Sequence, residues 1–316
     1  MNVVRGLGKL KLKNYSVVTI GTFDGVHLGH LELLKFLAKR KQPYEGESVL
    51  ITFDPHPRLV LNSGDPSFKV ITTLEEKINL IKKSDVDTLL ILPFTKDFSK
   101  TTGQQFIENI LINQLQIDEV VVGYDHAFGH KRSGNIEMLQ QYADRNVFKL
   151  KVLEPHIVQD NKVKSSLIRK YLLAGDVNNA NELLGETYPL SGKVIKGIGR
   201  GRQLNFPTAN LAPSDPNKLV PGKGIYIAKA LLHNQWYPAA VSIGNRPTFN
   251  EHEVTIEAFL IDFERDIYGE ELTIHFIHRI RDELKFNSER ELIEQMHLDV
   301  LQTRDYFNKS EILMED

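Results

Sequence analysis

No cysteine occurs anywhere in the 316 residues. Disulfide staples and thiolate metal centres are therefore excluded, and packing must hold the chain together. Also missing is any apolar run near the roughly 20 residues that cross a bilayer. The opening Met1-Asn2-Val3-Val4-Arg5-Gly6 lacks the apolar core of a signal peptide. Charge of one sign is lacking too: 39 Lys and Arg stand against 41 Asp and Glu, a net charge of −2. A nucleic-acid binder would carry a strong basic excess. These absences predict a cytoplasmic protein with no membrane and no nucleic-acid partner. Its anionic ligands should be small and held by local loops.

What is present divides into two textures. Residues 1–186 alternate β-branched runs with helical stretches. The runs are 17–20, 48–53, 88–92, 119–122 and 148–153. Thr73-x-x-Glu76 and Thr101-x-x-Gln104 fit capping boxes at helix starts. Apolar strands separated by helices predict a doubly wound parallel α/β sheet. Residues 187–316 are rich in strand and turn signals. Stretches 226–232 and 236–243 flank His233-Asn234-Gln235 as a hairpin would, and 255–263 and 272–280 read as a second pair around Tyr268-Gly269. A final helix opens on Ser288-x-x-Glu291, with Leu292, Ile293, Met296 and Val300 near one face. The expectation is a small antiparallel β-barrel with a C-terminal helix.

Gly21-Thr22-Phe23-Asp24-Gly25-Val26-His27-Leu28-Gly29-His30 follows the first strand and leads into a helix over 31–40. A strand, a Gly-bearing turn and a helix start make an anion site, because free amides and the helix dipole face the ligand. His27 and His30, three apart, can turn both rings to one phosphate. The positive helix end should keep empty imidazoles neutral, and a triphosphate should favour their charged forms. A two-His-one-carboxylate metal site with Asp24 is the alternative reading of the same residues.

His27-Leu28-Gly29-His30 resembles the His-x-Gly-His signature of the nucleotidyltransferase superfamily. The longer ten-residue stretch is similar to the adenylyltransferase half of bacterial bifunctional riboflavin kinase/FAD synthetases. Thr52-Phe53-Asp54-Pro55-His56-Pro57, Val122-Gly123-Tyr124-Asp125 with Phe128-Gly129, and Ser165-Ser166-Leu167-Ile168-Arg169 match in order. The resemblance implies a nucleotidyltransferase-like fold for 1–186. It implies ATP binding by Gly21, Phe23, Asp24, His27, His30, Asp125, Ser165, Ser166 and Arg169, and flavin binding by Phe53, His56 and Pro57. On their own, 52–57 read as a Pro-rich turn, while Ser165, Ser166 and Arg169 read equally as a helix cap with a solvated Arg. His126 departs from the family's usual aromatic. With Asp125 and His130 it mimics a metal cluster, but Gly129 interrupts the helix that such a pair requires.

Gly197-Ile198-Gly199-Arg200-Gly201-Arg202 places glycines at alternate positions beside two arginines, so amides and charge can wrap a phosphate chain. Pro207-Thr208-Ala209-Asn210 follows. Thr208 and Asn210 point the same way on an extended segment, and their oxygens suit Mg²⁺. The stretch resembles the Pro-Thr-Ala-Asn motif of riboflavin kinases, with Asn205 in place of a usual Gly and Phe259 in place of a frequent His. The resemblance implies that Gly197, Gly199, Gly201, Arg202, Pro207, Thr208 and Asn210 bind ATP, that Thr208 and Asn210 hold Mg²⁺, and that Glu257 is the catalytic base. Glu257 shares a strand face with Thr255, Phe259 and Ile261.

Together the motifs imply FMN adenylyltransferase in 1–186 and riboflavin kinase in 187–316, with catalytic His27, His30 and Glu257. Riboflavin, FMN, FAD and ATP would be the ligands, and ATP the co-substrate beside Mg²⁺. Transferases acting on pantetheine, nicotinamide or polyol phosphates share the first signature, but they do not need a barrel with a second ATP site. An aminoacyl-tRNA synthetase fragment would need a tRNA-binding extension, and a flavin-binding regulator would have lost one or both active sites.

Overall fold

The computed structural model describes residues 1–8, 10–12, 15–61, 67–197, 206–245 and 254–312, the last three without their side chains. Its contacts divide the chain into two compact units, Met1–Ser165 and Ser166–Asp316.

The first unit is built on six strands: β1 (Asn2–Arg5), β2 (Ser16–Ile20), β3 (Glu47–Asp54), β4 (Thr88–Pro93), β5 (Glu119–Gly123) and β6 (Lys149–Leu153). They lie in the order β1-β4-β3-β2-β5-β6, every pair parallel. Alternate residues feed two cores. Val18, Ile20, Ile51 and Val122 pack with Phe106, Ile107 and Leu139. Val17, Leu50, Leu89 and Val121 pack with Leu34, Leu37 and Ile81. These partners come from α1 (Leu28–Arg40) and α2 (Leu74–Lys82) in one core, and in the other from α3 (Gly103–Gln105, continuing as a π-helix over Phe106–Gln114) and α4 (Ile136–Asp144). This is the doubly wound arrangement. Strand order reverses at β2, so the carboxyl ends of β2 and β5 border the crevice where such sheets bind ligands.

Several local expectations shift. The edge strand β1 is additional. The helix expected over 31–40 starts at Leu28, because His27 supplies its cap. The Thr73–Glu76 capping box forms with both halves, but the second box is Thr102 with Gln105, one residue later than read.

The second unit begins with α5 (Ser165–Leu173), whose first residue belongs to the first unit, and α6 (Val177–Leu184). Both are tied to the barrel: Leu172 O accepts from Gly222 N at 2.8 Å, and Asn181 Nδ2 donates to Phe276 O at 2.9 Å. The barrel strands are β7 (Tyr188–Ile195), β8 (Ala209–Pro213), β9 (Gly224–Leu232), β10 (Gln235–Asn245), β11 (Val254–Leu260) and β12 (Glu271–Arg281). They close in the order β7-β8-β11-β10-β9-β12. The β9–β10 hairpin is as expected, with His233 (φ 48°) and Asn234 (φ 62°) turning it in the left-handed pattern that matches strand twist. The second expected pair is a correction: β11 bonds to β8 and β10, while β12 bonds to β7 and β9. Closure separates two strands that sequence adjacency had joined. Helix α7 (Glu289–Ile312) follows, held by Arg281 on Asp299 (2.9 and 2.6 Å) and by Arg304 on Asp262 (2.8 and 2.6 Å).

Leu50 is fully buried at the centre of the parallel sheet. Leu50→Ala is expected to cost about 2–5 kcal/mol. The measurement is the urea midpoint at unchanged slope; a loss below about 1 kcal/mol contradicts this packing.

Candidate active sites

In the first unit, β2 ends at Ile20 and the chain must turn sharply to enter α1. Phe23 (φ 47°), Gly25 (φ 95°) and Val26 (φ 40°) take left-handed backbone to do so. For a β-branched Val this costs free energy that surrounding contacts must offset. Gly21 N donates to Ile51 O at 3.0 Å, and Gly25 N to Thr72 Oγ1 at 3.0 Å. Asp24 Oδ1 accepts from Ile71 N at 2.8 Å and Thr72 N at 3.2 Å, while Ser165 Oγ donates to Asp24 O at 2.7 Å. The Asp24 carboxylate, 2% exposed, is thus turned into the loop's own support. The Phe23 ring is buried against His30, with centroids 4.7 Å apart, so Phe23 offers a ligand its backbone only.

His27 and His30 do converge, with their rings stacked 3.6 Å apart at 11°. His27 caps α1: its Nδ1 accepts from His30 N at 3.2 Å. An accepting Nδ1 carries no proton, so the neutral ring holds its hydrogen on Nε2 and remains a donor. Burial pushes the His27 imidazole down to about 4, against the opposing pull of Asp24 and Asp125. His30 is held well below its ordinary value, first by burial and then by His27 and Lys77. Both rings are therefore neutral near pH 7, with burial as the leading cause. His30 Nδ1 is sealed from solvent without a hydrogen-bond partner. Such an atom costs free energy unless a ligand satisfies it.

Around this pair, Asp125 follows β5, half-exposed, and its carboxylate is 3.2 Å from Lys164 Nζ. Phe53 stands half-buried in an aromatic cluster with Phe94 at 5.7 Å and Phe98 at 6.0 Å. His56 lies 5.1 Å from Phe68, and Pro57 opens a helical turn, Pro57–Leu61. Ser166 and Arg169 stand on α5 in the second unit. His126 stacks on Phe128 at 5.4 Å, and burial pushes it down to about 4. His130 Nδ1 meets Ser99 O at 2.9 Å instead. No group of three metal-ligating side chains forms among the described residues. Sequence reading missed His156, whose Cβ would lie 3.6 Å from a Cβ at Gly29 and whose charge is felt by His27. It also missed Lys77, which follows the capping-box Glu76. Neither carries a local signal, because only the fold brings them to the loop.

In the barrel, Asn210 pairs with Glu257 across β8 and β11, and Ser242 pairs with Glu257 across β10 and β11. Thr208 Oγ1 donates to Glu257 Oε2 at 2.9 Å. Ile256, Ala258 and Leu260 fill the barrel, so Glu257, with Thr255 and Phe259, faces outward. That row opens on a cavity of about 570 Å³ lined by Thr208, Glu257, Phe206, Phe259, Leu292 and Met296. The last two come from the apolar face of α7. Gly197 lies against the Asn210 amide: a Cβ there would come within 2.3 Å of Nδ2. Pro207 lies two residues before β8, while Gly199, Gly201 and Arg202 lie outside the described residues.

Comparison with known proteins gives a consistent result across both units. A family model described as FAD synthetase matches residues 9–167, and one described as riboflavin kinase matches 184–307. Bifunctional riboflavin kinase/FMN adenylyltransferases are similar over nearly the whole chain. The protein from Listeria monocytogenes is 37% identical, covering 93% of each chain. That from Escherichia coli K12 is 31% identical, covering 97% of this chain and 98% of its own. The crystal structure of a macrolide-efflux protein from Streptococcus pneumoniae superposes with a TM-score of 0.86 at 32% identity, covering 96% of this chain and 99% of its own. With one family model over 9–167, the other over 184–307, and relatives 31–37% identical over nearly the full length, the chain belongs to the bifunctional riboflavin kinase/FMN adenylyltransferase family.

Proposed function

We propose that residues 187–316 phosphorylate riboflavin with ATP and that residues 1–186 adenylylate the resulting FMN, using separate residues for separate phosphorus atoms. The observation that carries this reading is the presence of two separate constellations, the stacked His27–His30 pair at a helix start and Thr208 bonded to Glu257 in the barrel.

In the kinase half, Glu257 accepts the proton of the ribityl 5′-hydroxyl as that oxygen attacks the γ-phosphorus of ATP, the bond from that phosphorus to the bridging oxygen breaks, and ADP leaves. Its outward row puts the carboxylate in the cavity, where Phe206, Phe259 and the α7 residues can cover a flat ring system. Thr208 Oγ1 orients Glu257 Oε2. Thr208 and Asn210 present neutral oxygens beside that carboxylate, a donor set that suits Mg²⁺. They are the residues that would hold it with ATP, and the ion would neutralise charge on the phosphates. The loop with Gly197, Gly199, Gly201 and Arg202 is assigned to the same ATP on its motif.

In the adenylyltransferase half, the FMN phosphate attacks the α-phosphorus of ATP and pyrophosphate leaves. His27 donates through Nε2 without first being charged, with the His30 ring stacked against it. Together they stabilise charge that grows on the five-coordinate phosphorus. Gly21, Phe23 and Asp24 shape the turn, Ser165 ties it down, and Asp125 flanks it; Ser166 and Arg169 are retained on their motif. Phe53, His56 and Pro57, with Phe94 as an added surface, are assigned to the flavin ring. We place both reactions in the cytoplasm, where ATP is supplied. The efflux description of the Streptococcus neighbour has no counterpart among the described residues, where no helix is long and apolar enough to cross a membrane.

Glu257→Gln is expected to keep riboflavin binding and lower kinase turnover by about a hundredfold or more; near-normal turnover would remove Glu257 as the base. His27→Ala combined with His30→Ala, given riboflavin, ATP and Mg²⁺, is expected to stop at FMN. Chromatography showing FAD at the wild-type rate would refute the site assignment.

A further inference from the structure

Helix α2 carries a lysine where neither local preference nor solvation favours one. Lys77 occupies the opening turn of Leu74–Lys82, at the positive end of the helix dipole, and is only 4% exposed. Its partners explain the position. Lys77 Nζ donates to Thr22 O at 2.6 Å and lies 3.4 Å from Thr52 Oγ1, which itself donates to Thr22 O at 3.2 Å. The Thr22 carbonyl is the last backbone acceptor before the left-handed Phe23, Gly25 and Val26. It is therefore fixed from α2 and β3 at once. Asp24 and Asp54 act on the ammonium from the loop and from β3, while the ammonium in turn acts on His30.

We propose that Lys77 is a positioning residue for adenylyl transfer: through Thr22 it holds the strained turn that aims His27 and His30, and it sets a fixed positive charge behind them. Burial lowers the ammonium to about 8, against Asp24 and Asp54, so it stays charged at neutral pH. A buried charge is costly to keep. Here the cost is offset where an anionic transition state forms in front of it, since a charge held away from water is weakly screened. Without the lysine the turn can relax toward unstrained backbone. The imidazoles then lose their alignment on the α-phosphorus while other contacts still bind ATP.

This inference rests on the assignment of the histidine pair to adenylyl transfer, so both variants are measured together in the full-length protein. Lys77→Met removes charge and donor at similar length. Its turnover for FAD from FMN is expected to fall about a hundredfold at saturating substrates, the pattern of an interaction made in the transition state. KM for ATP and FMN should stay within about threefold, and FMN formation from riboflavin should be unchanged. Retained FAD turnover, or a loss expressed only in KM, overturns the proposal. If Lys77→Met melts below the assay temperature, Lys77→Arg decides: it should keep the melting temperature and recover a measurable part of turnover, and turnover as low as that of the histidine double variant in a stably folded protein overturns the positioning role. Intact FAD synthesis in the His27→Ala, His30→Ala double variant would instead defeat the underlying site assignment.

Discussion

One hydrogen bond sets the chemistry of the first unit: His27 Nδ1 accepting the amide of His30. Serine, threonine, asparagine or aspartate would cap α1 more strongly. None of them would leave a second ring nitrogen as a fixed donor on the outer side. The cap chooses the tautomer, the tautomer fixes the donor, and stacking on His30 fixes its direction. The left-handed turn, the inward Asp24 and the ties to Thr72, Thr52 and Ser165 all keep that arrangement in place.

The barrel meets a different demand with a different economy of parts. The base proposed for the kinase step must touch a hydroxyl, and Glu257 sits on the outward row of a strand whose inward row is packed solid. Helix α7 then supplies the far wall of the cavity, and Arg281 on Asp299 fixes the helix to the barrel. Asp299 is 5% exposed, so this ion pair is largely removed from water and is costly to break from one side.

Much of this was legible in the residues. The β-branched runs marked the parallel sheet because a strand buried on both faces needs no alternation, and the His27–His30 spacing follows from helix geometry alone. Thr208 and Asn210 were named as a pair and Glu257 apart from them, and the barrel register brings all three side by side. What stayed hidden depends on contacts remote in sequence. Barrel closure overrode the expected pairing of β11 with β12. Asp24 looked like an anion neighbour until its carboxylate was found holding the amides of Ile71 and Thr72. Lys77 and His156 had no motif because their meaning lies in what they face.

The most direct test is nitrogen-resolved NMR of the imidazoles across pH, with and without a non-hydrolysable ATP analogue. His27 should appear as the neutral Nε2–H form down to about pH 4, and the analogue should shift Nε2. An Nδ1–H tautomer, protonation near the ordinary histidine value, or an Nε2 signal indifferent to the nucleotide would contradict the account.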